Sequence, residues 1–193
     1  MTEKLTGQIF WEEYWEVKPD KKGGKKTSLL IREILRTFDK HLPADNNLSI
    51  LEVGGASGEY LLYLTRRFGY KAYSLDYSRI GNDQTLATFS GAGLPVEVFE
   101  RDLFADNSDL PKFDIVFSLG FIEHFDDPGL VVEKHLDLLK PGGILLLGVP
   151  NYAGIYQPVL RRLAPSIAQT HNMNIMNIDA WRSFEEKLTL GTI

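Results

Sequence analysis

Apolar positions recur with two different periods along this chain. Near the N-terminus Phe10, Trp11, Tyr14 and Trp15 fall at i, i+1, i+4 and i+5, one face of a helix running to about Val17. The stretch PDKKGGKK that follows has turn composition. A second helix is predicted over TSLLIREILRTFDKHL, where Leu30, Ile34, Phe38 and Leu42 are spaced by four. Pro43 and the polar residues up to Asn47 end it. From Leu48 the texture changes to alternation. LSILEV reads as a strand and GEYLLYLTRRF as a helix stopped by Gly69. YKAYSLD is a second strand, with a helix from Ser78 to about Ser90, and VEVFE is a third. FDIVFSLG is a fourth. Asp127 and Pro128 then open a helix, as cap and first-turn residue, that runs through GLVVEKHLDLLK. KPGG closes it, GILLLGV is a fifth strand, and helices including DAWRSFEEKL follow Pro150.

Strand and helix alternate five times, and the first, fourth and fifth strands are apolar on both faces. This is the pattern of a parallel sheet covered by helices on both sides. Right-handed crossovers make an open, doubly wound, Rossmann-like α/β fold of about five strands the expected outcome. In such sheets ligands bind beyond the carboxyl ends of the strands. The chain divides into an N-terminal helical segment (1–47), a core (48–150) and a helical segment (151–193). Its 193 residues suit one domain with a real core.

Composition narrows the function. A formal charge of −5 argues against nucleic acid as partner, since nucleic-acid binders present a basic face. The basic cluster Lys18, Lys21, Lys22, Lys25 and Lys26 surrounds Gly23 and Gly24 and reads as a solvated loop. There is no cysteine, hence no disulfide or thiolate chemistry. No apolar run is long enough to span a membrane, and the N-terminus lacks the order of a signal peptide. A cytoplasmic location is expected.

The glycine-rich turn EVGGASGE leaves the first strand and enters a helix. It is not a P-loop, because no Gly-Lys-Ser/Thr follows. It fits the dinucleotide fingerprint poorly: counted from Gly54, Ala56 and Glu59 stand where the second and third glycines belong. The turn carries Glu52 and Glu59 and no Lys or Arg, so a pyrophosphate is a poor match. A ligand without phosphates and with a positive centre fits better.

Here the chain resembles the class I S-adenosylmethionine-dependent methyltransferases over residues 48–150. Their first motif, acidic-x-G-x-G-x-G, reads Glu52-Val53-Gly54-Gly55-Ala56-Ser57-Gly58, with Ala56 in place of the middle glycine. The resemblance implies the sheet order 3-2-1-4-5. Asp76, ending the second strand before Tyr77, would accept from the ribose hydroxyls. Asp102 after the third strand would accept from the adenine amino group, with Leu103 packed on the ring. Ser118, Leu119 and Gly120 would lie beside the methionine part. Family members usually add two strands after the fifth. Only TLGTI, residues 189–193, follows the last helical run, so strands six and seven are expected to be absent or incomplete. The exposed edge of the fifth strand would then be covered by the segment after Pro150, pair with a second subunit, or mark the chain as a fragment of a longer protein; the fragment is the favoured expectation, and it would be prone to self-association.

The implied reaction is methyl transfer to a small molecule, with oxygen preferred over nitrogen or carbon. The Asn/Asp-Pro-Pro-Tyr stretch of amino-group methylases is absent after the fourth strand, where SLGF stands. Glu123 and His124 follow that strand as candidate catalytic residues, His124 first as base or substrate contact. The alternative for His124 is a loop residue pinned by hydrogen bonds. Glu123, His124, Asp126 and Asp127 could also suggest a metal, but an acid-rich turn that opens a helix is more often a cap, and no metal is expected. The aromatic face of the first helix serves either as core packing or as a lid. His171, Met173 and Met176 lie where substrate-covering inserts occur in the family. A non-catalytic cofactor-binding scaffold, or another transfer such as that of an aminopropyl group, is compatible with the same fold.

Overall fold

The computed structural model describes residues 4–17, 29–152, 162, 170–177, 179, 181–182 and 186. The lysine cluster, most of the helical run expected after Pro150, and the TLGTI segment lie outside the described residues.

Five parallel strands form one sheet: β1 (Ser49–Val53), β2 (Lys71–Asp76), β3 (Glu97–Glu100), β4 (Phe113–Leu119) and β5 (Leu139–Gly148). Their order is β3-β2-β1-β4-β5, as the resemblance implied. Helices α3 (Glu59–Phe68), α4 (Arg79–Ala92) and α5 (Pro128–Leu136) make the connections. Helices α1 (Gln8–Val17) and α2 (Leu29–His41) precede the sheet.

The period of two explains the layers. In β1, Ile50 faces a cluster with Phe38 of α2, Leu61 and Leu64 of α3, and Phe89 of α4. Its neighbours Leu51 and Val53 face the opposite cluster, with Val131 and Val132 of α5. In β4, Ile115 and Phe117 take the first face and Val116 the second. All of these are at most 1–2 % exposed, which accounts for strands that are apolar on both sides. In α2, Phe38 is buried, Ile34 packs against the same cluster and Leu30 is exposed, and Leu42, just past the helix end, is buried as well.

Two boundaries differ from the sequence expectation. α5 ends at Leu136, before DLLK, and β5 starts at Leu139, so KPGG belongs to the strand. The register with β4 slips between the Phe113–Leu139 and Ile115–Ile144 pairs, and the bulge absorbs Pro141 and the left-handed Gly142. β5 is only half-buried along its apolar length, and among the described residues it pairs with β4 alone.

His135, on α5, is fully buried and donates from Nδ1 to Val131 O at 2.7 Å. Its ring stands edge-on to Phe121 at 5.8 Å. Burial pushes its pKa down to about 4. The stabilising contribution of the neutral ring is complete above the ordinary value of 6.5 and is lost as pH falls through 4. The change is equivalent to about 3 kcal/mol. Thermal melts of the wild type and His135→Leu should therefore diverge as pH falls from 6.5 to 4, with the wild type losing more.

Candidate active site

The chain reverses direction across the sheet between β1 and β4, and the candidate residues gather at the carboxyl ends of these strands and their neighbours. The turn after β1 makes two close approaches that exclude side chains. A Cβ on Gly54, which is left-handed at φ 65°, would stand 2.1 Å from the Phe121 ring. A Cβ on Gly55 would stand 2.0 Å from the carboxyl carbon of Glu52. Phe121 from the β4 loop and the preceding acid therefore both lean on the bare backbone. Ala56 is accommodated from across the site: a Cβ on Gly81 of α4 would fall 2.6 Å from the Ala56 Cβ.

Glu52 is 2 % exposed, and its Oε2 has no hydrogen-bond partner. Burial, reinforced by Asp76, holds its pKa well above the usual carboxylate range. Asp76, also buried, accepts from Ser78 N at 2.8 Å. Its pKa is pushed up to about 6, chiefly by burial and further by the nearby Glu12, against backbone bonds that include one from Ala56. Ser118 Oγ, at the end of β4, is buried without a partner. Leu119 is partly buried and touches the Gly148 position, and Gly120, at φ 70°, donates to Gly148 O at 2.8 Å.

The 3-10 turn Ile122–His124 brings in the catalytic candidates. Glu123 is 1 % exposed, its Oε2 is unpartnered, and burial raises its pKa to about 7. His124 Nδ1 lies 2.8 Å from Thr170 O, which requires Nδ1 to carry the proton. Burial, then the adjacent His171, lowers the His124 pKa to about 4 against the Thr170 bond. The His124 and His171 rings lie 4.5 Å apart. Glu123, His124 and His171 each place a potential ligand atom within 4.8 Å of the others, so these are the described groups able to hold a metal ion.

Segments distant in sequence clamp this turn. Asn172 donates through N to Glu123 O at 2.6 Å and through Nδ2 to Phe125 O at 3.1 Å. On the other side, Leu5 N donates to His124 O at 2.9 Å, and Lys4 forms an antiparallel bridge with Phe125. Trp11 of α1 stands edge-on to His124 at 4.9 Å. Glu12 accepts from Arg79 N and Ile80 N, capping α4 from outside, and Gln8 Nε2 donates to Tyr77 O at 2.8 Å. The aromatic helix thus packs on α4 and walls the site at once.

A family model described as a methyltransferase domain matches residues 24–188. The chain belongs to this methyltransferase family. A ubiquinone biosynthesis O-methyltransferase of Chelativorans sp. (strain BNC1) is 29 % identical over 106 residues, 54 % of this chain and 41 % of that protein. The chain thus matches less than half the length of that curated relative. Among solved structures, YjhP from E. coli superposes with a TM-score of 0.67 at 20 % identity, covering 94 % of this chain and 71 % of that one. A methyltransferase from Thiobacillus denitrificans, in complex with S-adenosyl-L-homocysteine, gives 0.54 at 20 % identity over 74 % and 55 %. At such identities these likenesses concern the fold.

Set on the methyltransferase fold, the acids at the ends of β1, β2 and β3 come to one rim, with Asp76 beside Glu52 and Asp102 two residues past β3. Leu103 is packed inward, in the cluster of Leu110, Val131 and Leu138, and the rings facing the Lys4 ammonium near Asp102 are those of Tyr77 and Phe104. Lys4, Glu12, Phe121 and Thr170 carried no sequence signal, because each acts through a contact 46 to 98 residues away or, for Phe121, through a glycine's missing side chain.

Proposed function

We propose that this chain binds S-adenosylmethionine and transfers its methyl group to a small-molecule acceptor, at oxygen in preference to nitrogen or carbon. The observation that carries this reading is a set of buried, unsatisfied oxygens at the ends of β1 and β4 and in the turn after β4: Glu52 Oε2, Ser118 Oγ and Glu123 Oε2. Such atoms await a partner. Around them stand Glu52 and Asp76, whose pKa values burial raises and whose ionised forms a nearby cation would favour, an environment suited to a cationic, hydroxyl-bearing ligand and hostile to phosphates. S-adenosylmethionine has an ammonium, ribose hydroxyls and a sulfonium-activated methyl group, and no phosphate. The names of the curated relatives support oxygen as acceptor atom.

The chain's own groups then divide the work. Asp76 accepts from the ribose hydroxyls and Asp102 from the adenine amino group. The Gly54–Gly58 backbone and residues 118–120 line the methionine portion. Phe121 and Trp11 keep water from the transfer path. Glu123 takes the acceptor's proton: its raised pKa leaves it close to half ionised at neutral pH, the range in which a base is effective. His124, neutral at that pH and tied to Thr170, positions the turn. No metal ion is required.

Titration calorimetry tests the cofactor: S-adenosylmethionine and S-adenosylhomocysteine should bind, and NAD much more weakly. Labelled-methyl trapping with a panel of phenolic and other hydroxylated acceptors tests transfer. Turnover should be unchanged by chelators; a loss restored by added metal would assign Glu123, His124 and His171 to an ion instead.

A further inference from the structure

Residues 4–6 lie across the part of the site where the adenosine would sit. Lys4 Nζ bonds Asp102 Oδ2 and stands 4.8 Å from the centroid of the Tyr77 ring and 5.8 Å from that of Phe104. Lys4 therefore occupies the gap between the end of β2, where Asp76 and Tyr77 stand, and the loop after β3, where Asp102 and Phe104 stand. An adenine donating to Asp102 needs that gap. The same three residues run on into the catalytic turn, through Leu5 N to His124 O and the bridge from Lys4 to Phe125. Thr6 is buried, and its Oγ1 accepts from Trp11 Nε1 at 3.1 Å, which ties the strip to α1.

We propose that residues 4–6 form a self-inhibitory latch, in which the Lys4 ammonium takes the place of the adenine at Asp102 and must be displaced before the cofactor enters. This rests on the cofactor reading above. The contact is ionic, and the two side chains are 28 % and 39 % exposed, so it is strong enough to close the gap and weak enough to yield to a ligand. Cofactor affinity is then reduced by the fraction of molecules with the latch shut. Displacement also frees Leu5 from His124, so occupation of the adenosine end loosens one of the two clamps on the Glu123–His124 turn and opens that turn to the acceptor. The strip thereby orders events, cofactor first and acceptor second.

The test is calorimetry of S-adenosylhomocysteine with the wild type, Lys4→Ala and Lys4→Met, at low and high salt, together with hydrogen exchange at Leu5. The latch predicts about three- to ten-fold tighter binding to both variants. It also predicts that salt tightens wild-type binding and not that of the variants, by screening the ion pair. Saturating ligand should speed exchange at the Leu5 amide. Weaker binding to the variants, with added protection at Leu5, would overturn the latch and make the strip a lid that closes on the cofactor. Equal binding by all three proteins would overturn it too. Absence of binding by every protein would instead overturn the cofactor reading.

Discussion

Glu123→Gln is expected to lower turnover by about 10²–10⁴-fold while cofactor affinity changes little. The substitution preserves size and removes the capacity to accept a proton. Glu123 is buried, one carboxyl oxygen is unpartnered, and its pKa stands at about 7 through desolvation. Wild-type turnover should rise with pH through about 7 as this carboxyl ionises, and the variant should lose that limb. His124→Asn should lower turnover less and leave the limb in place, since His124 is neutral throughout that range and its Nδ1 proton is committed to Thr170. A limb that persisted in Glu123→Gln and vanished in the His124 variant would reverse the two roles and restore His124 as the base.

The second large effect concerns Asp76, where affinity and stability should move in opposite directions. Asp76→Ala or Asp76→Asn should weaken S-adenosylhomocysteine binding by about tenfold or more, through loss of one or two charge-assisted hydrogen bonds of about 1.5–3 kcal/mol each. The ligand-free protein should nevertheless gain from Asp76→Asn at pH 8. A carboxyl whose folded pKa is raised from 3.8 to about 6 costs stability as pH rises through that interval, and the cost is complete above it. The rise is equivalent to about 3 kcal/mol, an upper bound on the gain because the Ser78 and Ala56 bonds favour the ionised form and are weakened by the amide. Thermal melts at pH 5 and pH 8 would show the gain at the higher pH. A variant destabilised at both pH values would mean that Asp76 is retained for structure, as a cap on the turn before α4. The expected opposition between stability and affinity is what a preformed site for a cationic ligand entails.

The sheet and its order were legible because short-range rules govern them. Burial on both faces writes unbroken apolar runs, as in Ile50, Leu51 and Val53, and right-handed crossovers leave few ways to arrange five such strands. The cap Asp127 was equally readable: it accepts from Leu130 N, a contact three residues long. The end of α5 was not, since DLLK has ample helix propensity and stops only because Leu138 and Leu139 are drawn into the core and the β4 ladder. The glycines of the first turn announced a close approach; that the approaching groups are Phe121 and the Glu52 carboxyl was decided by the fold.

The sequence by itself determined which acids end which strands, and so the chemical character of the site: acidic, with no cation in the glycine turn. Strand ends are local features, and parallel pairing brings them to one rim regardless of what lies between. Only the tertiary structure decided how each acid behaves. Whether Glu123 or His124 is the better base depends on desolvation and on a bond to Thr170, 46 residues away. Whether Asp102 meets a ligand or Lys4 depends on a contact across 98 residues. Ionisation follows the whole surroundings of a group, and those surroundings exist only once distant segments have packed.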